Sequence, residues 1–190
     1  DMGAKKRVMK FISAAKQVDI VEEMGEKLDL SQFEEWEPEA QLEALQKMAL
    51  GPAQKFFFDL KTGSQMRILA LASPDYSCQL IAKKDIFHQR KILDRLELPC
   101  AAAIFSAFPF EHQAEYIEKQ DLKINLPLLE HLEKNLLARH YMQIPENRRF
   151  YLVSNFSPPV LAGLMEMLPL EQQREILDQI EQERLGEVLN

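Results

Sequence analysis

Glycine is scarce, at six residues in 190, and no run alternates β-branched with polar residues for any useful length. A sheet would have neither strand pattern nor turn residues enough, so an all-β or α/β fold is excluded. No apolar stretch approaches the roughly 18–20 residues that cross a bilayer. Lys5, Lys6, Arg7 and Lys10 precede Phe11-Ile12, but no apolar core segment follows to make a signal peptide. Cys78 and Cys100 are the only cysteines, singly placed at apolar or small positions. They exclude a disulfide framework and a metal-binding pair, and read as reduced, buried thiols of a cytosolic protein. The chain has no glycine-rich phosphate loop and no nucleophile elbow. His88, His112, His131 and His140 never stand at i, i+4 from one another or from a cysteine. Neither an enzyme nor a cofactor is expected. The net charge of −7 argues against a nucleic-acid partner, which needs a basic surface.

What the chain does have is a period. Taking Ile12, Trp36, Leu60, Lys84, Phe108, Ile144 and Leu168 as anchors, all steps but one are 24 residues. Five residues after each anchor stand Gln17, Gln41, Gln65, Gln89, Gln113, Arg149 and Gln173. Three residues before each the chain is always apolar: Met9, Phe33, Phe57, Ile81, Phe105, Tyr141 and Met165. Eight and nine residues after, it is apolar again, from Ile20-Val21 to Ile176-Leu177. A fixed period of this length marks a stacked-repeat protein.

Spacings of three and four keep one helical face apolar on each side of the anchor. Pro109, Pro145 and Pro169 directly follow their anchors, and Pro38 stands one residue later. Proline there ends one helix and is tolerated in the first turn of the next. Glu39, Glu111 and Glu171 then complement the positive end of that next helix. Each period is thus two helices of roughly ten residues. The expectation is one domain, 1–190, of about seven short helix pairs. Its core would hold Phe33, Trp36, Phe57, Leu69, Ile81, Leu93, Phe105, Phe108, Ile117, Met165, Leu168 and Leu177. Lys84 is expected to pack its stem and keep its ammonium in solvent.

The step from Phe108 to Ile144 is 36 residues, which places a twelve-residue insertion around 120–132. It reads either as a longer helix with Pro127 in its first turn or as one extra short helix. Insertions in repeat arrays collect on one face, often the binding face. Leu126, Leu128 and Leu129 either plug the gap between repeats or contact a partner. The next anchor would fall at position 192 and Asp1 precedes Met2, so a segment of a longer protein is expected.

Leu168-Pro169-Leu170-Glu171-Gln172-Gln173-Arg174-Glu175-Ile176-Leu177 resembles the "LPxExQ/RxxLL" unit of the flagellar rotor protein FliG and of the cytosolic N-terminal domain of MgtE magnesium transporters. Phe108-Pro109-Phe110-Glu111-His112-Gln113 and Ile144-Pro145-Glu146-Asn147-Arg148-Arg149 are further copies. The resemblance implies a right-handed superhelical array of short helix pairs, an armadillo-like or MgtE-N-like solenoid. It also implies a place in a larger transport or motor protein, which would meet a membrane only indirectly. A magnesium-sensing regulatory role is the alternative it suggests.

Three sets of residues are candidates. The Gln column, with Arg149, is expected to donate to carbonyls left free where the preceding helix ends, a structural ladder. Glu22, Glu23, Glu26, Glu35 and Glu39 are the candidates for a divalent cation, although glutamates on one short helix diverge. A solvated acidic face is the preferred reading of that stretch. Leu126, Leu128, Leu129 and Arg148 are the interaction candidates. Function is expected to be a non-enzymatic scaffold that binds another protein or a copy of itself.

Overall fold

The computed structural model of the protein describes residues 30–180, which form thirteen α-helices and no strand. The chain divides into two compact halves, one up to Leu96 and one from Glu97. The periodicity alone reads as a single domain. The first half holds α1 (Leu30–Phe33), α2 (Pro38–Lys47), α3 (Leu50–Asp59), α4 (Thr62–Leu71), α5 (Pro74–Ile81) and α6 (Ile86–Leu93). The second holds α7 (Leu98–Ser106), α8 (Phe110–Glu118), α9 (Leu122–Leu129), α10 (Lys134–Gln143), α11 (Glu146–Asn155), α12 (Pro158–Met167) and α13 (Leu170–Gln179).

From α2 to α13 the helices begin at residues 38, 50, 62, 74, 86, 98, 110, 122, 134, 146, 158 and 170, each twelve after the last. The repeating length is therefore one helix of twelve residues, and 24 is two of them. Of the two readings of 120–132, one extra short helix is the one the structure shows. Nothing is interrupted there: α9 is one more helix on the same beat, and Pro127 lies inside it rather than in its first turn. A single added helix shifts a two-helix pattern by half a period, which the anchors register as a 36-residue step.

The links at the anchors are built alike. The anchor N–H donates to the carbonyl three residues back, as in Trp36 to Phe33 (3.1 Å), Leu60 to Phe57 (3.3 Å), Phe108 to Phe105 (3.1 Å) and Leu168 to Met165 (3.2 Å). This tight closing turn explains why apolar residues recur at both positions, since it folds both into the core. One extended residue follows, and the next helix starts. Ser73, Asp85 and Asp121 cap their helices by accepting from Tyr76, His88 and Lys123 N–H. Pro38, Pro74 and Pro158 open α2, α5 and α12, where a missing N–H costs nothing. Two starts borrow a carboxylate from 27 residues upstream. Glu34 accepts from Lys61 N–H and Glu130 from Ser157 N–H, both at 2.6 Å.

Within each half, helices pack on the one two places along. In the first half α2 meets α4 and α3 meets α5. In the second, α7, α9, α11 and α13 follow one another in contact, and α10 meets α12. Eleven of the twelve expected core residues are buried. Leu177 is only half-buried, because no described helix follows α13 to cover it. Full burial of a side chain such as Phe57 or Phe105 is worth about 1.5–3 kcal/mol, so the column three before each anchor carries much of the stability. Lys84 is exposed, and its ammonium lies 4.3 Å from the centre of the Phe58 ring.

Candidate functional site

The amides five residues after the anchors are local clips. Gln41 Nε2 donates to the Phe33 carbonyl at 2.7 Å, closing the end of α1. Gln65 reaches the Phe57 and Leu60 carbonyls (3.1 and 3.0 Å), Gln89 that of Lys84 (2.7 Å) and Gln173 that of Leu168 (2.8 Å). Gln113 serves Ser106 (3.1 Å) and Phe108 (2.6 Å). Arg149 does the same with Nε to Ile144 (2.8 Å) and Nη2 to Met142 (3.0 Å). Every bond stays in its own turn, so these residues close successive helix ends one at a time. Gln17 lies outside the described residues. Asn125 belongs to the set and was missed. It stands five residues after Gln120 and reaches the Ile117 carbonyl at 3.3 Å, visible only once α9 is counted as a full repeat.

The structure buries the interaction candidates to different degrees. Leu129 is fully buried and Leu128 buried, while Leu126 is half-buried. Arg148 is half-buried, and its Nη2 donates to the Gln120 carbonyl at 3.1 Å. Of the cation candidates, Glu22, Glu23 and Glu26 lie outside the described residues, and Glu35 and Glu39 are exposed. Among the described residues no three His, Cys, Asp or Glu side chains stand together as metal ligands. None of the described helices is long and apolar enough to cross a membrane.

Two concavities among the described residues of the second half meet at Gln143. The larger is an open groove of about 520 Å³ between α10, α12 and the start of α13. Phe110, Met142, Met167, Leu168 and Pro169 give it an apolar lining, with Asn135, Arg139 and Gln143 as its polar members. The Arg139 guanidinium lies 4.1 Å from the Phe110 ring centre, a cation–π contact that orients it. Met142 is 38 % exposed, and Leu170, two residues beyond the groove residue Leu168, is 73 % exposed. Methionine is an adaptable apolar side chain, and Leu170 stands as an exposed apolar knob beside the groove. Arg139, Met142 and Met167 were missed because they follow none of the repeat's columns.

The smaller cleft, about 240 Å³, has aliphatic walls from Ala114, Ile117, Ile144 and Pro145, with Glu118, His140, Gln143 and Arg148 as its polar members. His140 is 1 % exposed and occupies a column that is Ile104, Leu128, Leu152, Leu164 and Ile176 in other helices. Its Nε2 lies 2.7 Å from Gln113 Oε1, and its ring stacks on Phe110 at 4.7 Å between centres. Because the Gln113 amide nitrogen is already donating to two carbonyls, its oxygen faces the imidazole and must accept. The proton therefore sits on Nε2, and Nδ1 presents a bare lone pair with no hydrogen bond inside the protein. Burial, with the nearby Arg139 charge, pushes the His140 pKa down to about 4, so the ring is neutral at ordinary pH. No protein-family model, curated protein or solved structure matches the chain.

Proposed function

We propose that this chain is a non-enzymatic helical-repeat scaffold of the FliG/MgtE-N kind, a right-handed superhelical array, and that it docks a second copy of itself through the groove between α10, α12 and α13. Helix starts on a twelve-residue beat, with packing two places along in each half, support the array. The observation that carries the docking reading is the adjacency of knob and groove. Leu170 projects from the first turn of α13, immediately after the Leu168-Pro169 wall of the groove. A patch holding both a knob and a hole suits a two-fold contact, in which each copy's Leu170 enters the other's groove. Charge fits the same arrangement: Glu171 is exposed next to the knob, and Arg139 lines the groove.

Sedimentation equilibrium of the full chain tests this. A concentration-dependent dimer is expected, and Leu170→Glu should shift it to monomer while the circular-dichroism melt stays unchanged. A chain that remains monomeric at about 0.1 mM, where even a Kd near 10 μM would give mostly dimer, contradicts self-docking. A monomer that instead binds an apolar helix from another protein through Met142 moves the scaffold reading to a different partner.

A further inference from the structure

The first half carries a positive surface in a chain whose net charge is −7. From residue 44 to residue 96 there are nine lysines and arginines against four aspartates and no glutamate. Three of those lysines gather over one face of α3. Gly51, Lys55 and Phe58 stand at i, i+4 and i+7, which places them in one row along that helix. Helix α5 packs on α3, and the link that follows α5 adds two cations to the row. Lys83 Nζ lies 3.8 Å from where a Cβ on Gly51 would stand, and Lys84 Nζ lies 4.3 Å from the centre of the Phe58 ring. Lys83, Lys55 and Lys84 thus line up over about 10 Å, the rise of seven helical residues. All three are exposed, and none has a carboxylate partner among the described residues.

We propose that this row docks an acidic helix of a partner protein. The placement does not serve the fold. Lys83 sits over the first turn of α3, where a cation opposes the helix dipole and a carboxylate is favoured. Three like charges side by side also repel one another in the absence of an anion. Carboxylates at i, i+4 and i+7 of a facing helix repeat the same spacing, so one acidic helix meets all three cations at once. Leu50, 42 % exposed and one residue before Gly51, offers an apolar contact at one end of the row. A single-stranded nucleic acid fits less well. Phe58 is half-buried beneath Lys84 and has no open ring face for a base, and the row has no arginine to fork onto a phosphate. A membrane also fits less well, since Leu50 is the one large apolar residue that α3 exposes. The surface lies wholly in the first half and does not depend on self-docking through the groove.

The test is nitrogen-15 NMR of the full chain at low salt, titrated with a defined probe. The probe is an alanine-based helical peptide of about 15 residues with one leucine in its first turn and glutamates at i, i+4 and i+7. Amide shifts should concentrate at residues 50–58 and 82–85 and saturate with a Kd of about 1 mM or tighter. The same peptide with glutamine for each glutamate should bind at least about fivefold more weakly. The triple variant Lys55→Gln, Lys83→Gln, Lys84→Gln should weaken the acidic peptide at least about fivefold with its fold intact by circular dichroism. The glutamine peptide keeps the test decisive if that variant is unstable. Lys123→Gln, at an exposed lysine of the second half, should leave the affinity unchanged. No shifts at about 3 mM peptide, equal binding of the glutamine peptide, or undiminished binding in a folded triple variant overturns the proposal. A single-stranded RNA of about ten nucleotides, or phosphatidylserine vesicles, binding these residues more tightly than the peptide overturns it too and gives the row to that partner.

Discussion

Replacing His140 with leucine should make the protein less stable at neutral pH and more stable in mild acid. At pH 7 the substitution restores the aliphatic residue that its column carries elsewhere, but it strips Gln113 Oε1 of its donor. Leaving that oxygen buried and unpaired costs about 1–3 kcal/mol, partly offset by the loss of the unpartnered Nδ1 and the gain of apolar burial, for a net loss of about 1 kcal/mol. Acid reverses the order. The imidazole binds its proton at pH 6.5 when unfolded but only at about 4 when folded, chiefly because burial disfavours the cation. Below pH 6.5 the unfolded state therefore takes up a proton the folded state refuses, and stability falls as pH falls toward 4. With those two pKa values the parent loses about 2 kcal/mol between pH 7 and pH 5 through this one residue. His140→Leu has no such loss, so its stability curve should cross the parent's between about pH 6 and pH 5. Urea denaturation of both proteins at several pH values measures the difference directly, because the carboxylates common to both cancel. A difference that does not change with pH would refute the reasoning.

Three further outcomes follow from the packing. Leu129→Ala should cost about 2–5 kcal/mol, as a fully buried leucine, whereas Leu126→Ser on the half-buried neighbour should cost under about 1.5 kcal/mol; urea melts that rank them the other way would remove α9 from the core. Glu130→Ala deprives Ser157 N–H of its acceptor at the start of α12 and should cost about 1 kcal/mol, and Glu34→Ala should act in the same direction on Lys61 N–H; amide exchange at Ser157 and Lys61 unchanged by these variants would contradict the role. Cys78, buried and with its thiol pushed up to about 11 by burial and then by Asp75, should stay unreactive toward a disulfide reagent at pH 8 until the chain unfolds. Its modification within seconds in the native protein would be inconsistent with this packing.

The all-helical class was readable from the sequence because spacings of three and four within each period leave no other economical way to bury Phe33, Phe57, Ile81 and Phe105. The 24-residue period was readable as a pair of helices, whereas the beat of twelve for each single helix was not, for an equally physical reason. Alternate helices carry different residues five after the link: Gln41, Gln65 and Gln89 close their turns by hydrogen bonding, whereas Ala53 and Ala101 only pack. A pattern search therefore locks onto every second helix. At α9 the polar residue is Asn125 and the preceding link residue is Gln120 in place of an apolar one, so the column vanished and the segment looked inserted. The groove was not legible because Arg139, Met142 and Leu170 face away from the packing that makes the pattern. His140 occupies a column that is apolar in most other helices. Its partner Gln113 lies 27 residues away, and only the three-dimensional packing of the second half brings the two together.

Self-docking through the groove is tested most directly by exchanging charge across the proposed two-fold contact. Arg139→Glu and Glu171→Arg each set like charges against each other between copies, and the double variant restores attraction with the positions swapped. Neither residue is buried, so neither change should disturb the fold. Sedimentation equilibrium at low salt should show each single variant dimerising at least about fivefold more weakly than the parent, on the order of 1 kcal/mol, and the double variant recovering most of the loss. Two singles that dimerise like the parent, or a double variant as weak as the singles combined, would contradict the account.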